Sequence, residues 1–460
     1  MLSKAQHQIE TVTFEPTRLA GLERLEEFVS RTGAHYSSQR HYDFGSGDHS
    51  GVSALSAWIK HRLITEEEII AKTLTHHNLS TSMKFIQEVF WRSYFKGWMQ
   101  QHPSVWRSYQ NNLALTLESL DSDKACKANY DEAIDGRTGI ACFDHWCNEL
   151  KSKGYLHNHA RMWFASIWIF TLRLPWELGA DFFLTHLIDG DAAANTLSWR
   201  WVGGLHTKGK TYLASAPNIA QFTNGRFEPL GQLSLTAEPL VEKVDHPTVL
   251  LPPIQAMPEG DYLLLITPQD CQAETFISGT PAGVLGLLPP AQSKQSQQVR
   301  SFEYGAVADA ISRFPKKMAT VTVAQDWTIP LIKASQKAGT NQIITPATTL
   351  GPVAAQLDAA EAELARVGIN LHQHQRTYDT LTWQYATKGF FKLKKKFQIF
   401  CATLVFWMLN ARLPLEGTPL NVICEKATKL HLNHVSHIIR TTLTYHVNYN
   451  DFDNSTKIYE

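Results

Sequence analysis

The chain has 460 residues, of which 43% are hydrophobic and 19% charged, and its formal net charge at pH 7 is zero. This composition is typical of a globular protein of two or three domains, and no global positive field indicates nucleic acid, although a local basic groove would suffice. The six cysteines are scattered without a C-x-x-C pair, which disfavours a disulfide scaffold or a four-cysteine iron–sulfur site and favours a reduced cytoplasmic protein.

The two ends of the chain give no sign of export or membrane insertion. Residues 1–10 are polar, so we expect no signal peptide. The most apolar run, Phe397–Leu409, is 13 residues long, whereas a membrane span needs about 20. A core helix, and no membrane contact, is the prediction.

Residues 1–235 are predicted to be mostly helical. Apolar residues recur at spacings of three and four, and an acidic first turn at residues 66–68 suits a helix N-terminus. Helices are predicted over 17–32, 55–63, 65–74, 82–101, 139–153, 158–172 and 179–187. Strand signals are scarce, which favours an all-α domain of aromatic helices packed around a central ligand.

Residues 236–260 are rich in proline and are predicted to be a linker, after which the pattern changes. Strands are predicted over 262–267, 318–323, 342–346 and 370–374, alternating with helices over 300–313, 327–338 and 351–367. This alternation predicts a Rossmann-like α/β domain with a parallel sheet over residues 261–385. Neither a G-x-G-x-x-G run nor a P-loop is present, so no nucleotide fingerprint marks this domain.

Residues 386–460 are predicted to be a basic helical or tail segment. The lysine-rich run at residues 392–396 could contact phosphates, but a solvated face is the commoner reason for such a run. His431, His434 and His437 recur every three residues, which favours an amphipathic face over metal ligation. We therefore predict no metal site.

The most informative stretch is residues 189–201, Asp-Gly-Asp-Ala-Ala-Ala-Asn-Thr-Leu-Ser-Trp-Arg-Trp. Two carboxylates, an amide and two indoles lie among small apolar residues, and buried polar groups need hydrogen-bond partners. A large, flat ligand rich in nitrogen and oxygen would supply those partners, and the indoles could stack on a ring or carry charge.

Two helices repeat one spacing. Glu88, Trp91 and Arg92 share one helix face at i, i+3 and i+4, and Asn158, Arg161 and Met162 share another. In isolation each set indicates only an ion pair and core packing.

Together these segments resemble the DNA photolyase and cryptochrome family. The matching runs, in order and at agreeing spacing, are Val-Ser-Ala-Leu-Ser at 52–56, Phe-Ile-Gln-Glu-Val-Phe-Trp-Arg at 85–92, Asp-Gly-Arg-Thr-Gly at 135–139, Gly-Tyr-Leu-His-Asn-His-Ala-Arg-Met at 154–162, residues 189–201, and Asn-Ile…Phe…Gly-Arg-Phe at 218–227. The resemblance covers roughly residues 15–235, about half of the chain.

The resemblance implies FAD, folded into a U inside an all-helical domain. By correspondence, the phosphates would be held by Tyr36, Ser53, Leu55 and Ser56. Arg92 and Asn158 would face the cofactor, Arg161 would pair with Asp189 beside the isoalloxazine, and Asp191 would meet the ribose and adenine side. Asn195 would lie against flavin N5, where an amide can donate or accept in more than one redox state.

The resemblance also implies light-driven repair of pyrimidine dimers in DNA, by electron transfer from reduced FAD to a dimer that is flipped out because a stacked base is unreachable. Glu88 would hydrogen-bond the dimer, Trp91 and Trp201 would sandwich it, and Asn158 and Met162 would complete its contacts. Relatives that repair (6-4) products have histidines at the last two positions, so this chain favours the cyclobutane dimer and the activity of a deoxyribodipyrimidine photo-lyase.

The chain departs from the family pattern in several places. The loop carries Val52 and Ala54 instead of threonine and arginine, and Phe85 and Tyr155 replace tryptophans. The electron chain that reduces the flavin corresponds to Trp199, Trp176 and an outer position near Asp123, which is not tryptophan. Candidates for that outer member are Tyr130, Trp98 and Trp168. Relatives also carry an antenna-binding α/β domain before the FAD domain, whereas here an α/β domain follows it. This domain is either the same kind of domain at the other end of the chain or an unrelated one.

Three functions remain open. The first is repair of cyclobutane pyrimidine dimers in DNA. The second is a cryptochrome-like blue-light sensor acting through a signalling partner, and the third is a flavoprotein without either role. No motif identifies an antenna chromophore.

Overall fold

The computed structural model describes residues 9–254, 256–277, 279–290, 295–315 and 319–409. Helices occupy the amino-terminal half, and a parallel sheet flanked by helices follows it. The predicted order of an all-α domain before an α/β domain is confirmed. No described helix is long and apolar enough to span a bilayer, and His431, His434 and His437 lie outside the described residues.

The helical half begins with short elements and continues with long ones. Its helices are α1 (Arg18–Val29), α2 (Ala34–Gln39), α3 (Ser56–Lys60), α4 (Glu66–His76), α5 (Leu79–Gln101), α6 (Pro103–Leu120), α7 (Lys124–Asp135), α8 (Ala141–Lys153), α9 (Asn158–Ser166), α10 (Trp176–His186), α11 (Ala192–Val202) and α12 (Ala216–Phe222). A π-helical turn, Ile167–Thr171, continues α9, so the helix predicted over 158–172 changes its winding part-way.

The sequence patterns predicted seven of these helices and missed α2, α6, α7, α11 and α12. Only four residues of α6 and one residue of α7 are buried. Because a helix is recognised by its buried apolar stripe, helices that lie mainly in solvent give little signal. Helix α4, by contrast, carries the expected start, since the Thr65 side chain accepts from the Glu68 amide and the Glu68 carboxylate accepts from the Thr65 amide.

The second half is a five-stranded, entirely parallel sheet of order β3-β2-β1-β4-β5. Its elements are β1 (Leu263–Ile266), β2 (Gly283–Leu288), α13 (Gln297–Ser312), β3 (Ala319–Val323), α14 (Thr328–Ala338), β4 (Gln342–Pro346), α15 (Pro352–Arg366) and β5 (Asn370–His374). Strand β2 was missed because two glycines interrupt its apolar run. Gly286 is needed there, since a Cβ at this position would lie 2.6 Å from Val307.

The chain then returns to the helical half through α16 (Thr377–Trp383), α17 (Phe391–Lys394) and α18 (Phe397–Leu409). These helices pack along α5. The rings of Phe90 and Phe397 stack with centroids 4.1 Å apart, and a Cβ at Gly97 would lie 2.7 Å from the Trp383 indole. The carboxy-terminal segment therefore covers the helix that carries Glu88, Trp91 and Arg92.

Buried ion pairs join the two halves at the carboxyl ends of the strands. Arg62, which precedes α4, donates to both carboxylate oxygens of Asp379 at 2.6 and 2.7 Å and to Asp270 at 3.3 Å. Arg376 holds Asp270 with two bonds of 2.6 and 2.7 Å. All four side chains are buried. In an open α/β sheet this edge is the usual ligand crevice, and here charged side chains of the protein fill it.

Candidate functional site

Three helices bring the predicted site residues together. Helix α5 carries Glu88, Trp91 and Arg92, and α11 lies against both α5 and α9. Helix α9 starts at Asn158 and continues through Arg161 and Met162. Helix α11 carries Asn195, Trp199 and Trp201. Segments more than 100 residues apart in the chain therefore meet at one place.

Asp189 lies buried before α11, between two guanidinium groups. Its Oδ2 accepts from Arg161 Nη2 at 3.0 Å and lies 3.9 Å from Arg92 Nη2. Burial raises the pKa of the carboxyl, but the charges of Arg161 and Arg92 outweigh that effect and hold the pKa of Asp189 below its ordinary value. The structure contains the Arg161–Asp189 pair expected from the sequence, and the carboxylate stays ionised at neutral pH.

This charged group is incompletely satisfied. Arg92 Nη1 and Asp189 Oδ1 are buried and have no hydrogen-bond partner among the described residues. An unpaired buried polar atom costs about 1–3 kcal/mol, and more for a charged group. A bound molecule with ring nitrogens, carbonyls or hydroxyls would satisfy both atoms, so the residues present fit a flavin nucleotide.

The loop at residues 52–56 is held from behind by α1. Arg24 is buried and donates from Nε to the Ser53 carbonyl at 2.8 Å and from Nη2 to the Val52 carbonyl at 3.1 Å. Ala54 adopts a left-handed conformation with φ of 53°, which is uncommon for a residue with a Cβ. In this loop Leu55 is buried and Ser53 is half-buried. The hydrogen bonds from Arg24 hold the backbone of the loop, and the motif itself does not include Arg24.

Three further residues that were predicted to bind the cofactor make contacts within the protein. Asp191 caps α11 by accepting from the Ala194 amide at 2.8 Å. Asn195 donates from Nδ2 to the Ala180 carbonyl at 2.9 Å, which fixes the orientation of its amide. The ring of Tyr36 packs edge-to-face on Phe85 at 5.0 Å. Their contacts with a cofactor stay predictions.

Glu88 and Trp91, the predicted dimer contacts on α5, each have a partner that the sequence did not indicate. Glu88 accepts from Arg40 Nη1 at 3.0 Å. Burial raises the pKa of Glu88, although Arg40 and Lys84 oppose it. The indole of Trp91 stacks face to face on Phe390, with centroids 3.6 Å apart and planes at 9°.

The remaining predicted substrate residues are more open. Asn158 is exposed, and Met162 and Trp201 are half-buried. Trp201 stacks on Tyr212 with ring centroids 5.7 Å apart. Tyr212 in turn contacts His159 Nε2 through its hydroxyl at 3.3 Å.

Two aromatic chains extend from the centre of the helical half. Trp199 meets Trp168 edge-to-face at 6.1 Å, and Trp168 meets Tyr130 at 6.1 Å. A Cβ at Gly179 would collide with Trp199, so glycine permits this close approach. The second chain joins Trp176 to Tyr109 at 5.5 Å and Tyr109 to Trp106 at 5.2 Å.

Of the candidates for an outer electron donor, Trp168 contacts Trp199 directly, and Tyr130 contacts Trp168. Trp98 instead stacks on His102 at 3.9 Å. Asp123, near which the resemblance predicts the outer member, caps α7 by accepting from the Cys126 amide.

A known protein family matches the part of the chain that contains this site. Residues 85–232 match the family model described as the FAD binding domain of DNA photolyase. This part of the chain is similar to the FAD-binding domain of the photolyase family. FAD is its cofactor, and the match contains Glu88, Arg92, Arg161 and residues 189–201.

Curated relatives agree with this assignment over the same half of the chain. The deoxyribodipyrimidine photo-lyase of Escherichia coli is 26% identical over 215 residues, which is 46% of this chain and 44% of that protein. The enzyme of the same name from Streptomyces griseus is 30% identical over 169 residues, or 36% of this chain and 35% of that protein. The chain therefore matches less than half the length of these relatives.

Solved structures with a similar domain include the cryptochrome of Synechocystis, with a TM-score of 0.40, 21% identity, and coverage of 47% of this chain and 46% of that chain. A class III photolyase from Agrobacterium tumefaciens has a TM-score of 0.37 and 21% identity, covering 45% of this chain and 43% of that one.

Proposed function

We propose that the protein is a light-dependent flavoprotein that repairs cyclobutane pyrimidine dimers in DNA. FAD, when bound, supplies the light absorption and the redox chemistry. The residues of this chain hold the cofactor, place the charges of Arg92, Arg161 and Asp189 beside it and bind the dimer next to it.

The observation that carries the proposal is that neighbouring residues of α5 contact different groups. Arg92 points toward Asp189 and Arg161, where the unpaired polar atoms call for a cofactor. Glu88, one turn earlier, points toward Arg40 in a half-buried position, and Trp91 presents an indole on the same side. We therefore assign Arg92 to the cofactor, and Glu88 and Trp91 to the substrate.

Glu88 is suited to hydrogen-bond a pyrimidine. Burial raises the pKa of Glu88 above its ordinary value. The charged carboxylate can accept from a ring N–H, and the protonated form can donate to a carbonyl oxygen. Arg40 holds the carboxyl in place in either state. The indoles of Trp91 and Trp201 supply flat apolar surfaces for a flipped base.

The test uses the purified full chain and a dimer-containing oligonucleotide. Illumination under reducing conditions is expected to restore the absorbance of intact thymine, and Glu88→Ala is expected to abolish that recovery while FAD absorbance is retained. A matched control is Glu363→Gln on α15, a charge removal at an exposed position of the α/β domain, which should repair normally.

Bound FAD without any recovery would instead favour a blue-light sensor, the second candidate. The stacking of Phe390 on Trp91 is the observation that favours it, because this contact occupies one face of an indole that a dimer would use.

A further inference from the structure

An aromatic ring from a later segment of the chain packs on the indole of Trp201. Trp201 is half-buried near the end of α11, and the ring of Tyr212 stacks on it, with centroids 5.7 Å apart and planes at 27°. The amide of Tyr212 donates to the Val202 carbonyl at 3.1 Å. The chain therefore returns beside the last turn of α11 and places the phenol ring against the indole.

The hydroxyl of Tyr212 is held by a histidine of α9. It lies 3.3 Å from His159 Nε2, and His159 Nδ1 lies 3.0 Å from the carbonyl oxygen of His41. Because a carbonyl oxygen only accepts, Nδ1 carries the proton of the neutral imidazole, and Nε2 accepts from the Tyr212 hydroxyl. These two contacts fix both the tautomer of His159 and the direction of the hydrogen bond.

His159 has little freedom to turn. Its buried ring stacks on Trp163, with centroids 4.0 Å apart and planes at 26°, and meets the ring of Phe222 at 5.1 Å. Burial lowers the pKa of His159 to about 4, so the imidazole is neutral at pH 7 and Nε2 stays an acceptor. One hydrogen bond and one ring stack therefore connect a rigid part of the core to the half-buried indole of Trp201.

We propose that His159 and Tyr212 are positioning residues, which hold the Trp201 indole in the orientation in which it stacks on a flipped-out pyrimidine dimer. A side chain that is already oriented loses less conformational freedom when its ligand binds, so the affinity rises. The contact between Trp201 and the dimer rests on the proposed function, whereas the orientation of the indole by Tyr212 does not.

The experiment uses the full chain with bound FAD. It measures binding in the dark of a labelled oligonucleotide with and without a thymine dimer, and the rate of repair against substrate concentration. Tyr212→Phe keeps the ring and removes the hydroxyl, and we expect it to weaken binding of dimer DNA by about three- to tenfold and to raise KM more than it lowers kcat. Binding of undamaged DNA should change much less, which a general loss of structure would not produce.

Two variants of His159 separate its hydrogen bond from its packing. His159→Leu removes the acceptor and should weaken dimer binding as Tyr212→Phe does, whereas His159→Gln offers an amide oxygen and should restore most of the affinity. Since the two residues share one bond, His159→Leu/Tyr212→Phe should lose less than the sum of the single losses. Tyr304→Phe, at an exposed position of α13, is the matched control and should bind as the unaltered chain does.

The orientation of Trp201 can also be followed without DNA, through its indole N–H resonance in isotope-labelled protein, identified by its loss in Trp201→Phe. This resonance should shift in Tyr212→Phe. An unmoved resonance, an unchanged affinity for dimer DNA, or equal losses for dimer and undamaged DNA would overturn the positioning role. If the unaltered chain does not prefer dimer DNA, the proposed function fails, and the Trp201 resonance alone decides whether Tyr212 orients the indole.

Discussion

Trp199 and Trp168 meet edge-to-face, with their ring centroids 6.1 Å apart, and Trp168 meets Tyr130 at the same distance. Both tryptophans are buried, whereas Tyr130 is half-buried near the surface. The three rings form a path from the buried interior of the helical half toward solvent.

We expect Trp168→Phe to slow light-driven reduction of the bound flavin several-fold, because the path to Tyr130 is then interrupted. The measurement is the rate of loss of oxidised-flavin absorbance under illumination with a thiol reductant, together with the spectrum of the transient radical, which should change from tyrosyl to tryptophanyl in Tyr130→Phe. Trp106→Phe, on the chain through Tyr109 and Trp176, is the matched control. A larger effect of Trp106→Phe would show that electrons travel by the other chain.

Asp189→Asn should weaken FAD binding by at least about tenfold. The substitution leaves Arg161 and Arg92 without their counter-charge, and hydrogen bonds to charged groups contribute about 1.5–3 kcal/mol, where about 1.4 kcal/mol is tenfold in affinity. Equilibrium titration of the apoprotein with FAD, followed by flavin fluorescence, gives the dissociation constant. Asp358→Asn, at an exposed site on α15, should bind FAD normally; equal affinities for the two variants would contradict a cofactor role for Asp189.

Arg62→Ala should lower the free energy of unfolding by about 3–5 kcal/mol, because it leaves the carboxylate of Asp379 buried without its charged partner, whereas Asp270 keeps Arg376. Urea unfolding monitored by circular dichroism provides the measurement. The double variant Arg62→Ala/Asp379→Ala should lose less than the sum of the two single variants. Additive losses would mean that the pair is not coupled.

Acidification should destabilise the protein between about pH 6.5 and pH 4. Burial lowers the pKa of His159 from 6.5 to about 4, so the unfolded chain takes up a proton in this range before the folded chain does. A depressed pKa in the folded state gives stability that is present above the unfolded pKa and is lost as the pH falls, by roughly 3 kcal/mol at most for this residue.

The variant His159→Gln should therefore flatten the decline of unfolding free energy with acid, as measured by urea titrations at successive pH values. His76→Gln, at an exposed position, should leave the decline as it is. If both variants decline as the unaltered protein does, His159 does not contribute.

The sequence predicted what is encoded locally. Strands β1, β3, β4 and β5 were found within one residue at each end. Strand β1 is a short apolar run and β3 alternates threonine with valine, and both patterns are typical of strands. The Arg161–Asp189 pair was expected because both residues lie in recognisable motifs. Surface helices α6 and α7 and the glycine-containing strand β2 gave weak local signals.

Contacts between distant segments were beyond such reasoning. Arg40 and Glu88 are 48 residues apart, and Arg62 and Asp379 are 317 apart. Nothing in the local pattern of Phe390 indicates that its ring rests on Trp91. The lysines at 392–396 were predicted to be a solvated face, and Lys392 and Lys395 are exposed.

The salt bridges between Arg62, Asp270, Arg376 and Asp379 also decide how this molecule can be divided. A fragment cut in the proline-rich stretch at residues 236–260 would end before Asp270 and Asp379 and would expose Arg62 together with the α5 surface that covers Phe397. In the complementary fragment, Asp270, Asp379 and Arg376 would be exposed to water without Arg62. We expect neither piece to keep its native stability by itself, so truncation studies of flavin binding need both halves, supplied as one polypeptide or mixed together.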